Sequence, residues 1–214
     1  MQLGEYYGQK AVYRKIGRGR MNGILALAGD LNNKSVLDVG CGGGELGKEL
    51  KAKFPSVKVY GVDISPEAVI EGSKHLDGAE VLDLTGGWPE NLFNTNFDLI
   101  VISEVLEHLF KPEDLLFKIN NKFTVPVIIT VPNVLFWKNR LKIFLGHFTY
   151  TDTGLMDRGH IHFFSWRAFK DLIQSTGFII KDSAHHIPTR GTKFLAKIFP
   201  GLFSYQFIVK LENK

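Results

Sequence analysis

The sequence predicts a doubly wound α/β fold, in which helices cover both faces of a largely parallel sheet. Short apolar runs rich in Val, Ile and Leu alternate with helical stretches along the 214 residues. The runs lack a polar–apolar alternation, which is typical of strands buried on both faces. A glycine-rich turn follows the first run, as in ligand-binding βα units, whose ligands lie at the carboxyl ends of the strands.

Seven runs are predicted as strands, and helices are expected between most of them. The strands are SVLDVG (35–40), VKVYGVDI (57–64), AEVLDL (79–84), FDLIVIS (97–103), PVIITVP (126–132), GFIIKDSA (177–184) and FSYQFIVKL (203–211). After the second strand, Ser65 and Pro66 form a typical helix start. After the fourth, EVLEHL is predicted to begin a helix directly.

Composition favours a single globular domain over residues 1–214. The hydrophobic fraction is 44% and the net charge only +4, which excludes a mainly disordered chain. One Cys excludes a disulfide framework and a Cys-rich zinc site. No apolar run reaches the ~20 residues of a membrane span, and the first residues lack the apolar core of a secretory signal. We therefore expect a cytoplasmic protein without a transmembrane segment.

Two segments depart from the strand–helix alternation. Residues 1–30 precede the first strand and are predicted to be a helical extension. Residues 134–164 follow the fifth strand and are predicted to be an insertion that covers the substrate. The net charge is +4 in residues 1–20, −7 in residues 21–133 and +7 in residues 134–214. The basic flanks indicate an anionic acceptor.

The glycine-rich turn carries the pattern D-x-G-x-G-x-G, from Asp38 through Gly40 and Gly42 to Gly44. The fingerprint of a nicotinamide-dinucleotide site, G-x-G-x-x-G, would require Gly where this chain has Glu45. Two carboxylates, Asp38 and Glu45, disfavour a pyrophosphate and favour a cofactor with positive charge. An NAD-dependent oxidoreductase is therefore an alternative that Asp38 and Glu45 disfavour.

Carboxylates also end the next two strands. Asp63 lies about 20 residues beyond the glycine turn, where an acidic side chain accepts hydrogen bonds from ribose hydroxyls. Asp83 ends the third strand, where a carboxylate can accept from an adenine amino group, and the apolar Ile64 and Leu84 lie beside the two acids. One such Asp is more often a turn residue. Three at successive strand ends predict a nucleoside site.

With these motifs the sequence resembles the class I S-adenosylmethionine-dependent methyltransferases. The matching stretches, within residues 35–133, are VLDVGCGGGELG, VYGVDIS, EVLDL and FDLIVISEVLEHL. The resemblance implies a Rossmann-like, mostly parallel seven-stranded sheet with the last strand antiparallel, and S-adenosyl-L-methionine as cofactor. The cofactor-binding residues that it implies are Asp38, Gly40, Cys41, Gly42 and Gly44 at the methionine portion, Asp63 and Ile64 at the ribose, Asp83 and Leu84 at the adenine, and Ser103 near the sulfonium.

Glu104, Glu107 and His108 follow the fourth strand. On a helix, positions i, i+3 and i+4 share one face, so the three side chains are predicted to converge. Carboxylates and imidazole suit Mg²⁺ or Mn²⁺. The E-x-x-E-H spacing resembles that of ubiquinone-pathway O-methyltransferases and small-RNA 2′-O-methyltransferases, which use these residues as metal ligands. The structural alternative is that the three residues are the solvated side of a helix.

A further His from GHIHFFSW completes the predicted site. In the RNA branch of the family, a His four residues before a Trp is the last ligand, which matches His162. His160, two residues earlier, is the competitor for this position. The predicted metal ligands are Glu104, Glu107, His108 and His162. The predicted catalytic residues are Glu104, His108 and His162, with imidazole as the general base if no metal binds.

The insertion and the chain after it resemble the methionine-biosynthesis accessory (MetW) group and the methyltransferases of polysaccharide and lipid biosynthesis. We expect O-methylation of a small metabolite, a glycan or a lipid-linked acceptor. Alternatives are metal-dependent RNA 2′-O-methylation and a non-catalytic MetW-like accessory subunit. Nucleic acid is not the expected partner, because no RNA-binding module or long basic stripe is present. Peripheral contact with a membrane is a further alternative.

Overall fold

The computed structural model describes residues 16–89, 92–188 and 193–214, and these residues contain one seven-stranded sheet. Its strands are β1 (Ser35–Val39), β2 (Lys58–Asp63), β3 (Gly78–Val81), β4 (Leu99–Ser103), β5 (Val127–Pro132), β6 (Phe178–His186) and β7 (Gln206–Asn213). Their order across the sheet is β3-β2-β1-β4-β5-β7-β6. Strands β1 to β5 are parallel, and β7 pairs antiparallel with both β5 and β6. The predicted fold class is confirmed.

Helices connect the strands and cover both faces of the sheet. They are α1 (Arg18–Ala28), α2 (Glu45–Lys53), α3 (Pro66–Gly72), α4 (Pro112–Lys122), α5 (Trp137–Phe144), α6 (Trp166–Ser175), α7 (Lys193–Ile198) and α8 (Pro200–Phe203). Two short 3₁₀ turns lie at Leu92–Asn94 and Leu106–His108. Within the described residues, no helix is long and apolar enough to cross a membrane.

The apolar strands have no alternation because each face of the sheet has its own core. Leu37 and Val39 of β1 pack on one face with Leu116 of α4. Val36, which directly precedes Leu37, packs on the opposite face with Leu50 of α2. Successive side chains of a strand point to opposite faces, so a sheet that is covered twice needs apolar residues at every position.

Helix α1 packs on the second of these faces, and Ile24 is fully buried there. At Gly23 an added Cβ would lie 2.2 Å from Cδ1 of Ile208 in β7, so only Gly allows this close approach. The contact sets the middle of α1 against β7. Of the predicted extension 1–30, residues 1–15 lie outside the described residues.

The chain after β4 does not enter a helix directly, so that prediction is wrong. Glu104 adopts a left-handed conformation with φ +58°, and its N–H donates to the Thr130 carbonyl at 3.1 Å. A single 3₁₀ turn follows, and α4 begins only at Pro112. Because a proline disfavours helical conformation in the residue before it, Lys111 interrupts any helix at this point. EVLEHL therefore forms a turn at the carboxyl edge of the sheet.

Candidate functional site

A pocket opens at the carboxyl ends of β1, β2 and β4, where an α/β sheet binds its ligand. Nine of the ten predicted cofactor residues line it, namely Asp38, Gly40, Cys41, Gly42, Asp63, Ile64, Asp83, Leu84 and Ser103. The tenth, Gly44, does not line the pocket and lies against the backbone of Gly72 in α3. The carboxyl ends of parallel strands meet at one edge, so residues far apart in sequence share this pocket.

The loop after β1 depends on glycine at alternating positions. Gly40, Gly42 and Gly44 all have positive φ, of +75°, +51° and +79°. A Cβ on Gly40 would lie 2.5 Å from a methyl of Val105, and one on Gly44 would lie 3.1 Å from the Gly72 backbone. Only Gly adopts this conformation at low cost and leaves room for these neighbours. The loop therefore brings backbone, rather than side chains, to the pocket.

Asp63 fixes this loop to the end of β2. Its Oδ2 accepts a hydrogen bond from the Gly42 N–H at 2.8 Å, and its Oδ1 accepts from the Ser65 N–H at 3.0 Å. Ser65 in turn caps α3 by accepting from the Ala68 N–H at 3.1 Å. One carboxylate thus orders both the glycine loop and the start of the next helix. Burial raises the pKa of Asp63.

The floor of the pocket is acidic. Burial, and then the neighbouring Asp63 carboxylate, raise the pKa of Asp38 to about 7, and Arg20 partly opposes the rise. Two adjacent buried carboxylates favour a cationic ligand, whose charge would offset their repulsion. The sulfonium and ammonium groups of S-adenosylmethionine supply such charges. Burial also raises the pKa of the Cys41 thiol, which disfavours a thiolate nucleophile there.

The loop after β3 closes the other end of the pocket. Oδ1 of Asp83 accepts from the Thr85 hydroxyl at 2.7 Å and from the Thr85 N–H at 2.8 Å, and these bonds lower its pKa. Nζ of Lys118, on α4, donates to the carbonyls of Thr85 and Gly86 at 2.9 and 2.7 Å. The loop is thereby held against α4, with Leu84 buried beside the pocket.

Arg20 is a pocket residue that the sequence analysis missed. It lies on α1 and lines the pocket together with Asp38. Its Nη1 lies 3.3 Å from Oε2 of Glu104, and its buried Nε has no hydrogen-bond acceptor among the described residues. The only signal in the sequence was the excess of positive charge in residues 1–20. A buried guanidinium with an unused donor fits an anionic group of a ligand.

Glu104 is already engaged by several donors of the protein. Besides Arg20, Nε2 of Gln206 donates to its Oε2 at 2.8 Å, and the Thr130 hydroxyl donates to its Oε1 at 3.1 Å. Gln206 is itself positioned by His186, because its Oε1 lies 3.1 Å from Nδ1 of that residue. Glu104 therefore joins α1 to β5 and β7 at the pocket wall. The predicted shared helix face of Glu104, Glu107 and His108 is not formed, because Glu104 is left-handed and only a 3₁₀ turn follows it.

A cluster of possible metal ligands is formed instead by Glu107, His108 and His160. One ligand atom from each lies within 4.8 Å of the others. Glu107 is fully buried, and the two imidazole rings are 4.9 Å apart. Nδ1–H of His108 donates to the Gly159 carbonyl at 2.9 Å, which fixes the ring tautomer that carries its lone pair on Nε2. Burial, and then His108, lower the pKa of His160.

His162 lies outside this cluster. Its Nε2 is 3.2 Å from the Phe110 carbonyl oxygen, and its ring stacks on Phe164. The N–H groups of both Ile161 and His162 donate to the Glu107 carbonyl, at 2.8 and 3.0 Å. This arrangement turns the chain so that His160, and not His162, meets the cluster. His160, the competitor named from the sequence, therefore takes the place in the cluster that was predicted for His162.

A second, open pocket lies beside the cluster. It is lined by Phe148, Thr149, Tyr150, Arg158 and His160. His108 lines the first pocket and His160 lines the second, and their rings are in edge-to-face contact. The histidine pair thus lies between the two pockets.

Comparison with known families assigns the fold. A family model described as a methyltransferase domain matches residues 13–181. The chain belongs to this methyltransferase family. The resemblance to class I S-adenosylmethionine-dependent methyltransferases is confirmed.

Sequence relatives include O-methyltransferases of ubiquinone biosynthesis. The chain is 35% identical over 96 residues to the mitochondrial enzyme of Schizosaccharomyces pombe, a match that covers 42% of this chain and 34% of that one. It is 34% identical over 97 residues to the enzyme of Nitrosomonas europaea, covering 44% and 40%. This methyltransferase-family chain thus matches two fifths or less of the length of these two relatives.

Solved structures share the fold over nearly the whole chain. Magnesium protoporphyrin IX methyltransferase from Synechocystis, with bound SAH, superposes with a TM-score of 0.67, covering 99% of this chain and 98% of that one at 17% identity. A methyltransferase described as S-adenosylmethionine-dependent, from Listeria monocytogenes, gives a TM-score of 0.60 at 17% identity, covering 92% and 97%. At this identity the two structures support the fold alone.

Proposed function

We propose that this protein transfers the methyl group of S-adenosylmethionine to an oxygen of a small-molecule acceptor. The observation that carries the proposal is the position of His108, which lines the acidic first pocket and contacts His160 at the second pocket. A cofactor in the first pocket and an acceptor in the second would meet at this histidine pair. The relatives named above are O-methyltransferases, which supports oxygen as the acceptor atom.

The first pocket has a group for each part of the cofactor. Asp63 accepts from the ribose hydroxyls, and Asp83 with Leu84 adjoins the adenine. Asp38 faces the ammonium group, and the glycine loop approaches the methionine portion with its backbone. Bound S-adenosylmethionine supplies an electrophilic methyl carbon, whose bond to sulfur breaks as the bond to the acceptor oxygen forms. Holding the two reactants in line supplies much of the rate enhancement.

His108 is proposed as the group that takes the proton of the acceptor hydroxyl. Its Nδ1–H is fixed on the Gly159 carbonyl, which selects the tautomer whose Nε2 carries a lone pair. Proton transfer to a positioned imidazole raises the nucleophilicity of the oxygen as the new bond forms. His160 packs edge-to-face on His108 and restricts its orientation.

A divalent metal is the second form of the same proposal. Two imidazoles and one carboxylate, from His108, His160 and Glu107, suit Mn²⁺ better than Mg²⁺, which prefers oxygen ligands. The bond from Nδ1 of His108 to a backbone carbonyl is typical of a metal-bound histidine. A metal there would lower the pKa of an acceptor hydroxyl. The fourth predicted ligand, His162, bonds elsewhere.

The acceptor is proposed to carry an apolar body and an anionic group. Aromatic rings of Phe148 and Tyr150 line the second pocket, and Arg158 supplies the positive charge. The guanidinium of Arg158 is largely exposed, and its nearest acid is Asp152 at 3.6 Å. Planar guanidinium groups match carboxylates and phosphates.

Incubation with S-adenosylmethionine labelled in the transferred methyl group tests this function. Fractions of small molecules, lipids, glycans and RNA from cell extract serve as acceptors, with and without a chelator. We expect label in an alkali-stable ether or methoxy product of the small-molecule or lipid fraction. Label in RNA alone, or binding of the cofactor without transfer to any fraction, would contradict the proposal. Loss of transfer on chelation, restored by Mn²⁺, would select the metal form.

Arg20 is proposed to bind the carboxylate of the methionine portion. Arg20→Gln should weaken S-adenosylmethionine binding about tenfold or more, because a hydrogen bond between charged groups contributes about 1.5 to 3 kcal/mol. Decarboxylated S-adenosylmethionine, which lacks the partner, should bind the variant and the wild-type protein equally. Titration calorimetry with both ligands measures the two effects.

Arg18→Gln is the matched control, because Arg18 is exposed on the same helix and does not line the pocket. An equal loss of affinity for both ligands in Arg20→Gln would mean that Arg20 acts through packing alone.

A further inference from the structure

The insertion contains an exposed apolar segment of which only the last part, from Phe148 to Tyr150, lines a pocket of the proposed methyl-transfer site. All ten residues from Leu141 to Tyr150 are exposed. Large apolar side chains dominate the segment, and Phe144 and Leu145 are 86% and 61% exposed. Six exposed large apolar residues in one short segment are more than solvent-facing loops of a monomeric protein usually carry. They are Leu141, Ile143, Phe144, Leu145, Phe148 and Tyr150.

The base of this segment is firmly attached to the body of the protein. Phe136, just before α5, is buried, and Nδ2 of Asn139 donates to the Val134 carbonyl at 2.6 Å. Nε of Arg140 donates to the Leu135 carbonyl at 2.7 Å. At its other end, Phe148 contacts Phe163 edge to face. The apolar tip, residues 141–147, is therefore held away from the core by two fixed ends.

A second exposed apolar stretch lies next to this base. Nη2 of Arg140 reaches the Gly201 carbonyl of α8 at 3.3 Å, and α7 immediately precedes α8. On and directly after α7 the exposed large apolar residues are Phe194, Leu195, Ile198 and Phe199. The Arg140–Gly201 contact therefore joins the bases of two apolar projections.

The charge of both stretches has one sign. Residues 134–151 contain no Asp or Glu, and neither do residues 183–211. Lys138, Lys142 and Lys197 are exposed beside the apolar side chains. Apolar side chains flanked only by Lys and Arg are complementary to a bilayer with anionic headgroups, and lack the acidic groups that an interface between copies of this basic surface would need.

We infer that the tip 141–147, together with the α7 stretch, inserts into the surface of an anionic lipid bilayer. The apolar side chains enter the boundary between headgroups and acyl chains, while the lysines remain among the phosphates. Phe148 and Tyr150, which line the second pocket, would then lie next to the membrane surface. This inference concerns where the protein binds and holds whether or not the proposed transfer to oxygen is correct.

Sedimentation of the full chain with vesicles tests the inference. Vesicles of phosphatidylcholine alone are compared with vesicles containing about 30% phosphatidylglycerol, at low and high salt. We expect binding to the anionic vesicles, weakened by salt because the Debye length shortens. Phe144→Glu with Leu145→Glu should lower the partition coefficient about tenfold or more, and Lys138→Glu with Lys142→Glu should remove the preference for anionic lipid.

Ile70→Glu is the matched control, because Ile70 is 66% exposed on α3, outside both apolar stretches. It should bind vesicles as the wild-type protein does. Failure of the wild-type protein to bind anionic vesicles would overturn the inference. So would wild-type binding by Phe144→Glu with Leu145→Glu, or dimerisation of the wild-type chain that the same pair abolishes, since the tip would then contact a second copy.

Discussion

Asp63→Ala is expected to weaken S-adenosylmethionine binding by about 100-fold or more. The carboxylate is proposed to accept from both ribose hydroxyls, and two hydrogen bonds to a charged group of about 1.5 kcal/mol each correspond to that factor. The substitution also removes the acceptor for the Gly42 and Ser65 N–H groups, so the glycine loop loses its attachment to β2. Titration calorimetry measures the affinity, and thermal unfolding reports the accompanying loss of stability.

Asp98→Ala provides a control with a similar structural loss. Asp98 accepts from the Ser35 N–H at 2.9 Å and pairs with Lys34, but it precedes β4 and so lies at the opposite edge of the sheet. We expect this variant to lose stability and to keep its affinity for the cofactor. Undiminished affinity in a folded Asp63→Ala protein would overturn the assignment of Asp63 to the ribose.

The cofactor pocket could be predicted from sequence because its geometry follows from the fold class. In a parallel sheet the carboxyl ends of β1, β2 and β3 meet at one edge, so Asp38, Asp63 and Asp83 had to lie near one another. The glycines of the loop were predictable for the same reason, since the turn from β1 into α2 requires positive φ. Local sequence and strand order predicted the positions of these residues, and the resemblance to the methyltransferase family implied their roles.

The proposed catalytic cluster depends on contacts between distant parts of the chain, and the helix predicted to bring its residues together is not formed. The left-handed conformation of Glu104 accompanies bonds from Thr130, Gln206 and Arg20, which lie 26, 102 and 84 residues away. The periodicity of apolar residues along a sequence carries no information about such long-range contacts. The orientation of His160 likewise depends on the Glu107 carbonyl, which accepts two N–H groups from the insertion. Arg20 was missed because α1 has no sequence motif that marks its position over the pocket.

His108→Asn is expected to lower kcat by about 100- to 10,000-fold, the usual contribution of a positioned general base, with little change in cofactor affinity. His160→Asn should also lower kcat, because it removes the ring that packs on His108 and one of the proposed metal ligands. His162→Asn should retain nearly wild-type activity, since its Nε2 lies against the Phe110 carbonyl and not in the cluster of Glu107, His108 and His160. Methyl transfer measured on the three variants distinguishes the cluster predicted from sequence, which contains His162, from the cluster in the structure, which contains His160.

The content of bound metal distinguishes the two proposed roles of the cluster, which are metal binding and general-base catalysis by His108. If Glu107, His108 and His160 hold Mn²⁺, then His108→Asn and His160→Asn should each lose most of the bound metal and chelation should inactivate the wild-type protein. If His108 acts as the base alone, the wild-type protein should be indifferent to chelation, and activity in His108→Asn should be lost without a change in metal content. A fully active His108→Asn protein would contradict both, because the imidazole that lines the cofactor pocket and contacts His160 would then be dispensable.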